Sequence, residues 1–165
     1  ITYRYIDWFI TVPLQIVEFY LILSAVTKIS PSVFWRLLIA SIVMLVAGYI
    51  GEAGLGSVNI FFAIGMVAWF AILYEIFFGV AGYLYSKVTH MPTKAAFSGL
   101  RLVVTIGWAI YPIGYAYGYM IPDPDVNLLN IIYNLADFIN KIAFGMMIWY
   151  AAKCDADKIT KAEWM

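Results

Sequence analysis

The chain contains five apolar segments, each long enough to cross a lipid bilayer, at approximately residues 3–26, 33–51, 58–85, 95–120 and 127–151. A membrane helix needs about 20 apolar residues. Only helices and closed barrels satisfy their backbone hydrogen bonds inside lipid, and these segments are too long for barrel strands and lack their alternating pattern. The sequence therefore predicts an all-α, polytopic transmembrane helix bundle forming a single domain over residues 1–165.

Composition supports a membrane protein and excludes several functional classes. Hydrophobic residues make up 64% of the chain and charged residues 12%, outside the usual range for a soluble domain. Cys154 is the single cysteine and His90 the single histidine, so we expect no disulfide, metal site or redox centre, and a solvated loop position for His90. A transporter or photoreceptor is expected, not an enzyme. Because Ile1 already lies within an apolar segment, we expect that an N-terminal part precedes it.

Positive charges predict the orientation of the helices, because basic residues gather in cytoplasmic loops. In an alternating topology eight of the basic residues fall on one side: Lys28, Arg36, Lys87, Lys94, Arg101, Lys153, Lys158 and Lys161. Arg4 alone falls on the other side. The first segment is therefore predicted to run from outside to inside, and the C-terminus is predicted to be cytoplasmic.

Ionisable residues inside the spans are the main candidates for function, since a charge at the bilayer centre costs about 3 kcal/mol. Lys141 lies near the middle of the last span, and Asp137 lies four residues earlier on the same helical face. An ion pair of this kind can also serve only to fix helix registry. Glu75 lies toward the cytoplasmic end of its span, and we expect it to snorkel or to make a helix–helix polar contact.

The first span carries a second set of polar residues. Asp7 and Glu18 are eleven residues apart, about three turns and about 16 Å, so they share a face. Thr11 and Gln15 extend this face into a polar stripe. Arg4 lies nearly one turn beyond Asp7 and is positioned to pair with it. The pattern indicates ionisable groups at successive depths on either side of Lys141.

A lysine in this setting suggests a covalent ligand, because a lysine amine forms Schiff bases with aldehydes. Membrane Trp and Tyr residues usually gather at the interfaces. Five of them occupy the central parts of spans here, namely Trp8, Trp69, Trp108, Tyr111 and Tyr133. Any one of them could simply pack between helices, but together they favour a pocket for a flat apolar ligand. Pro13 and Pro112, inside helices, permit kinks.

Three segments carry a family resemblance: "RYIDWFITVPLQIVEFYLIL", "RLVVTIGWAIYPIGY" and "YNLADFINKIAFG". They resemble the third, sixth and seventh helices of microbial rhodopsins, and most closely those of proteorhodopsins. The resemblance implies a seven-helix rhodopsin fold, with five helices visible in this chain, and a retinal-binding domain. The second helix of proteorhodopsins supplies a histidine that hydrogen-bonds the acceptor carboxylate, and that helix is not among the five.

The resemblance also implies roles for individual residues. Lys141 would carry all-trans retinal as a Schiff base, with Asp7 as proton acceptor and counterion and Asp137 as second counterion. Glu18 matches the cytoplasmic proton donor, and Arg4 matches the arginine on the exit path. The remaining matches are retinal-pocket positions: Trp8, Thr11, Trp69, Trp108, Tyr111 and Tyr133, with Met44 and Gly48 near the ring end. Gln15 occupies the colour-tuning position, where glutamine accompanies blue absorption.

The implied function is a blue-absorbing, light-driven outward proton pump in a bacterial cell membrane, with protons, lipid and a homo-oligomer as partners. Chloride pumps of this family replace the acceptor aspartate with a neutral residue, and sodium pumps carry an Asn/Asp/Gln pattern. The Asp/Thr/Glu set at positions 7, 11 and 18 therefore favours proton transport. A sensory rhodopsin with a slow photocycle is the main alternative. A retinal-free transporter using Lys141 and Asp137 as a coupling pair is the second.

Overall fold

A computed structural model describes the backbone of residues 1–163 and the side chains of residues 1–157. The side chains of Lys158 and Lys161, which were assigned to the cytoplasmic side, lie outside the described residues. So do the last two residues of the predicted domain.

The described residues form helices joined by short loops and contain no strand. Its elements are α1 (Thr2–Ser24), α2 (Pro31–Glu52), α3 (Val58–Phe77), α4 (Val80–Lys87), α5 (Met91–Leu102), a π-helical turn (Val103–Gly107), α6 (Ile110–Met120) and α7 (Val126–Glu163). Five helical stretches are long and apolar enough to cross a membrane: α1, α2, α3 with α4, α5 through α6, and α7 up to Asp157. The predicted all-α transmembrane bundle is confirmed.

Polar side chains fix the starts of three helices by binding their free backbone N–H groups. Ser30 accepts a hydrogen bond from the backbone of Ser32 at the start of α2, and Asp125 accepts two at the start of α7. His90 caps α5 through Thr93. It lies in the loop before α5 and is partly exposed, as predicted, and its other ring nitrogen lies 2.9 Å from Asp155.

The third span was predicted as one helix over 58–85, but it breaks between α3 and α4. Gly79 lies at the break, where the chain passes so close to Glu75 that a Cβ on Gly79 would lie 2.7 Å from its carboxylate. Glu75 accepts a hydrogen bond from the backbone N–H of Ala81 at 3.1 Å and pairs with Arg36 of α2 at 3.2 Å. The helix–helix polar contact predicted for Glu75 is confirmed.

The fourth span begins at Met91, four residues before the predicted start, and changes its hydrogen bonding in the middle. Pro112 has no backbone N–H with which to reach the carbonyl of Trp108. Trp108 itself donates to Val103, five residues back, at 2.9 Å, and its carbonyl accepts from Tyr111 at 3.1 Å. A π-helical turn of this kind is often found at functional sites. By contrast, α1 passes through Pro13 without a break.

The core lies between α1, α2, α3, α5 and α7. Side chains that are buried within it include Ile16, Phe19, Leu23, Leu37, Phe97, Leu100, Val104 and Phe144. The helix α1 packs against α2, α4 and α5, and α7 packs against α5, α6 and the π-helical turn. This arrangement brings the polar face of α1 next to the middle of α7.

Candidate functional site

The centre of the site is an ion-pair cluster between α1 and α7. The amine of Lys141 donates a hydrogen bond to the carboxylate of Asp7 and lies 3.9 Å from the carboxylate of Asp137. The side chains are 31%, 44% and 16% exposed, respectively, so Asp137 is the more deeply enclosed of the two acids. One lysine therefore faces two carboxylates, as the helical spacing predicted for Asp137.

The two carboxylates differ in their other partners. Asp137 accepts a hydrogen bond from the indole N–H of Trp8, 3.0 Å from both carboxylate oxygens, and one from the hydroxyl of Tyr111 at 2.6 Å. Among the described residues, the carboxylate of Asp7 has only Lys141 as a hydrogen-bond partner. The hydroxyl of Thr11 donates to the backbone carbonyl of Asp7 at 3.0 Å and does not bind the Asp7 carboxylate.

A cavity opens beside Lys141 and extends between α2, α3 and α6. Its empty volume is about 820 Å³, including the space of its open mouth. Most of its wall is apolar or aromatic, with polar groups near the lysine. The lining residues include Trp8, Gln15, Met44, Gly48, Phe62, Gly65, Trp69, Trp108, Tyr111, Pro112, Asp137, Asn140 and Lys141.

The aromatic residues fix one another in place. Trp8 packs edge-on against Tyr111 with ring centroids 5.0 Å apart. Trp69 donates from its indole N–H to the carbonyl of Val104 at 3.1 Å. Tyr133 does not line the cavity; it stacks behind Tyr111 at 5.9 Å and donates to the Tyr111 carbonyl at 3.2 Å. The structure thus places Tyr133 as support for the cavity wall.

Asn140 is a polar member of the site that the sequence analysis did not identify. Its amide donates to the carbonyl of Gly107 at 3.0 Å and to the hydroxyl of Tyr111 at 3.4 Å. A Cβ on Gly107 would collide with the Asn140 side chain, so glycine is required for this approach. A polar residue next to Lys141 in an apolar span was the available sequence signal.

Glu52 was also missed, because it lies at the end of its span and resembles an ordinary loop charge. It is only 6% exposed and accepts hydrogen bonds from the hydroxyls of Tyr5 and Tyr119, each at 3.0 Å. Arg4 lies 3.9 Å from Glu52. The pairing expected between Arg4 and Asp7 is not among the described ion pairs, because the arginine side chain extends toward α2 instead.

Glu18 lies on α1 beyond the cluster, about 16 Å from Asp7 along the helix axis. It is half-buried, and the described residues include no hydrogen-bond or ion-pair partner for its carboxylate. We call the part of the bundle from Lys141 toward Arg4 and Glu52 the Arg4 side, and the part toward Glu18 the Glu18 side.

The structure thus brings most of the predicted site residues together around one cavity. Lys141, Asp137, Trp8, Gln15 and Tyr111 contribute to its wall, together with the predicted residues Met44, Gly48, Trp69 and Trp108. Asp7 contacts Lys141 directly, whereas Thr11 and Tyr133 act one layer away. Arg4 and Glu18 lie at opposite ends of the arrangement.

A membrane helix bundle in which a lysine of the last span faces two carboxylates and an aromatic cavity has the architecture of the microbial rhodopsins. The bacteriorhodopsin-like protein family matches residues 1–154, and the chain belongs to this family.

Similarity to individual proteins supports this family assignment. The chain is 49% identical over 152 residues to the blue-light absorbing proteorhodopsin of Gamma-proteobacterium Hot 75m4, covering 91% of this chain and 60% of the relative. It is 48% identical over 151 residues to the green-light absorbing proteorhodopsin of Gamma-proteobacterium EBAC31A08, with the same coverage of 91% and 60%. The chain therefore spans about 60% of the length of these relatives.

Two crystal structures share the fold. Blue light-absorbing proteorhodopsin from Med12 superposes with a TM-score of 0.78 at 53% identity, covering 93% of this chain and 68% of that one. Exiguobacterium sibiricum rhodopsin gives a TM-score of 0.81 at 36% identity, covering 93% and 71%. The predicted microbial rhodopsin fold is confirmed.

Proposed function

We propose that the protein of which this chain forms part is a light-driven outward proton pump that holds all-trans retinal as a Schiff base on Lys141. The observation that carries the proposal is the Lys141 amine, which lies at the polar end of an apolar, aromatic cavity and faces two carboxylates. These residues fit a long apolar aldehyde with a cationic attachment point. Bound retinal would supply light absorption and an isomerisation that changes the proton affinity and access of the lysine nitrogen.

The hydrogen bonds of the two carboxylates favour Asp7 as the proton acceptor. Asp137 is stabilised by the neutral donors Trp8 and Tyr111, and these donors remain when the lysine nitrogen loses its proton. Asp7 depends on Lys141 alone among the described residues. When the proton leaves the nitrogen, Asp7 therefore loses its stabilising partner and gains most by accepting the proton.

Glu18 would return a proton to the lysine nitrogen from the other side. It is the one carboxylate on α1 beyond Asp7, and a half-buried acid without a described partner is free to take up and release a proton. With the C-terminus in the cytoplasm of a bacterial cell, as the basic residues indicate, the Glu18 side faces inward and the Arg4 side faces outward. Protons would then move from the cytoplasm to the outside.

Gln15 supports a blue-absorbing pigment, because a polar amide beside the chromophore can stabilise the positive charge near the lysine in the ground state. The blue and green relatives are almost equally similar to the chain, at 49% and 48% identity, so overall identity does not decide the colour. Gln15→Leu should move the absorption maximum of the retinal-loaded, full-length protein toward the green. An unmoved maximum would contradict this role.

Retinal binding is tested by adding all-trans retinal to the full-length protein in membranes and recording the visible spectrum. We expect an absorption band that Lys141→Ala abolishes completely. Glu75→Gln is the matched control, since it changes another buried ionisable residue and should retain the band. A band that persists in Lys141→Ala would rule out the Schiff base assignment.

A further inference from the structure

We propose that Glu52 is a positioning residue that holds Arg4 away from Asp7 in the resting protein. This inference rests on the proposed function for its consequence, namely that Asp7 remains a full counter-charge to the lysine nitrogen. It is argued from contacts among the chain's own residues.

Glu52 is held in place by burial and by two hydrogen bonds. Its side chain is almost fully enclosed at the end of α2. Tyr5 donates to one carboxylate oxygen and Tyr119 to the other. Gly48, one turn earlier, makes room for this arrangement, because a Cβ there would lie 2.6 Å from the Tyr5 hydroxyl. Carboxylates that accept hydrogen bonds in this way are fixed in position.

Arg4 lies over Tyr133 and next to Glu52. Its guanidinium lies over the ring of Tyr133, 4.2 Å from the ring centre. One terminal nitrogen donates to the side-chain oxygen of Asn130 at 3.3 Å. The other is buried without a hydrogen-bond acceptor and lies 3.9 Å from Glu52. Glu52 is therefore the acid that neutralises Arg4 in this structure.

Arg4 does not pair with Asp7, although Asp7 is the other acid near it. Residues three apart on a helix are neighbours, so Asp7 is within the reach of Arg4 along α1. The described ion pairs instead form two separate groups, Lys141 with Asp7 and Asp137, and Arg4 with Glu52. Removing the charge of Glu52 would leave Arg4 without an opposite charge in an apolar setting, where this is costly. Asp7 would then be its nearest alternative along the helix.

The consequence is measurable in the spectrum. An arginine beside Asp7 would weaken the field that stabilises positive charge at the lysine nitrogen, and would thereby lower the excitation energy. In the full-length, retinal-loaded protein, Glu52→Gln should therefore shift the absorption maximum to longer wavelength. In an Arg4→Gln background, Glu52→Gln should produce no further shift, because no cation remains to be redirected.

A second readout does not need retinal. Arg4→Gln and Glu52→Gln should each lower the unfolding temperature of the retinal-free, full-length protein. The double variant should be at least as stable as the less stable of the two single variants, because both substitutions break the same ion pair. Glu75→Gln is the matched control, since it removes a buried carboxylate that is paired with a different arginine, Arg36. It should leave the absorption maximum unchanged.

If Glu52→Gln does not fold, Glu52→Asp replaces it, because it keeps the charge but draws the carboxylate back from Arg4. A shift to longer wavelength that depends on Arg4 supports the proposal. Equal shifts with and without Arg4, or no shift together with additive losses of stability, overturn it. A full-length wild-type protein that forms no pigment would instead refute the proposed function, and the stability cycle would still decide the role of Glu52.

Discussion

The two halves of the bundle on either side of Lys141 differ in the chemistry of their interiors. On the Arg4 side, polar groups follow one another closely: Asp137 binds Trp8 and Tyr111, and Arg4 and Glu52 lie beyond them. The Tyr5 and Tyr119 hydroxyls and Asn130 complete this set. Protons can move along groups of this kind with the help of water.

The Glu18 side is packed with apolar side chains. Phe19 is fully buried and meets Phe97 at 5.1 Å and Phe144 at 6.5 Å between ring centres. Ile16 and Leu100 are also fully buried. Glu18 itself has no polar partner among the described residues.

This asymmetry of the interior would give a transported proton a direction. Under the proposed function, a proton leaving Lys141 would meet polar groups on the Arg4 side at once, whereas a proton entering from the Glu18 side would have to pass packed apolar groups. Under the proposed function, transport in one direction would need a transient opening of the Glu18 side.

Removal of the proposed proton acceptor, Asp7, should have the greatest consequence. Asp7→Asn should slow deprotonation of the lysine nitrogen by at least about 100-fold, since a positioned acid or base contributes 10² to 10⁴ in rate. Flash photolysis of the full-length pigment measures this rate. A photocycle with normal deprotonation in Asp7→Asn would show that another group, such as Asp137, is the acceptor.

On the Glu18 side, removal of the proposed proton donor, Glu18, should have the second-largest effect. Glu18→Gln should slow reprotonation of the lysine nitrogen by about 10²-fold and leave its deprotonation unchanged, and added azide should restore part of the rate. Glu75→Gln serves as the control, since its carboxylate is tied to Arg36 and Ala81. Equal decay in wild type and Glu18→Gln would remove Glu18 from the mechanism.

The apolar packing itself can be weakened. Phe19→Ala removes a ring from between α5 and α7, and the space gained next to Glu18 can admit water. We expect severalfold faster reprotonation, measured by flash photolysis. Phe9→Ala, on the exposed face of α1, should leave the rate unchanged; if both variants behave alike, the packing around Phe19 does not limit proton entry.

The smallest effect concerns stability on the Arg4 side. Asn140→Ala loses the bonds to Gly107 and Tyr111, and hydrogen bonds between membrane helices contribute about 0.6 kcal/mol each. We expect the free energy of unfolding to fall by about 1 kcal/mol. Asn134→Ala changes an exposed asparagine of the same helix and should have no effect. A loss of stability in Asn134→Ala as large as in Asn140→Ala would contradict this account.

Much of this arrangement was predictable from the sequence, because helical periodicity fixes which residues of one helix share a face. The pairing of Asp137 with Lys141 and the all-helical membrane bundle follow from spacing and apolar length. The partner of Arg4 did not follow, since the choice between Asp7 and Glu52 depends on how α1 packs against α2. The break at Gly79 and the π-helical turn before Pro112 depend likewise on local backbone contacts that hydrophobic patterns do not report.

Outward proton pumping is tested by illuminating an unbuffered suspension of cells that express the full-length protein with retinal, and recording the pH with and without a protonophore. We expect acidification of the medium in the light, abolished by the protonophore. A coloured, retinal-loaded protein that produces no pH change would contradict outward pumping and would favour a sensory function.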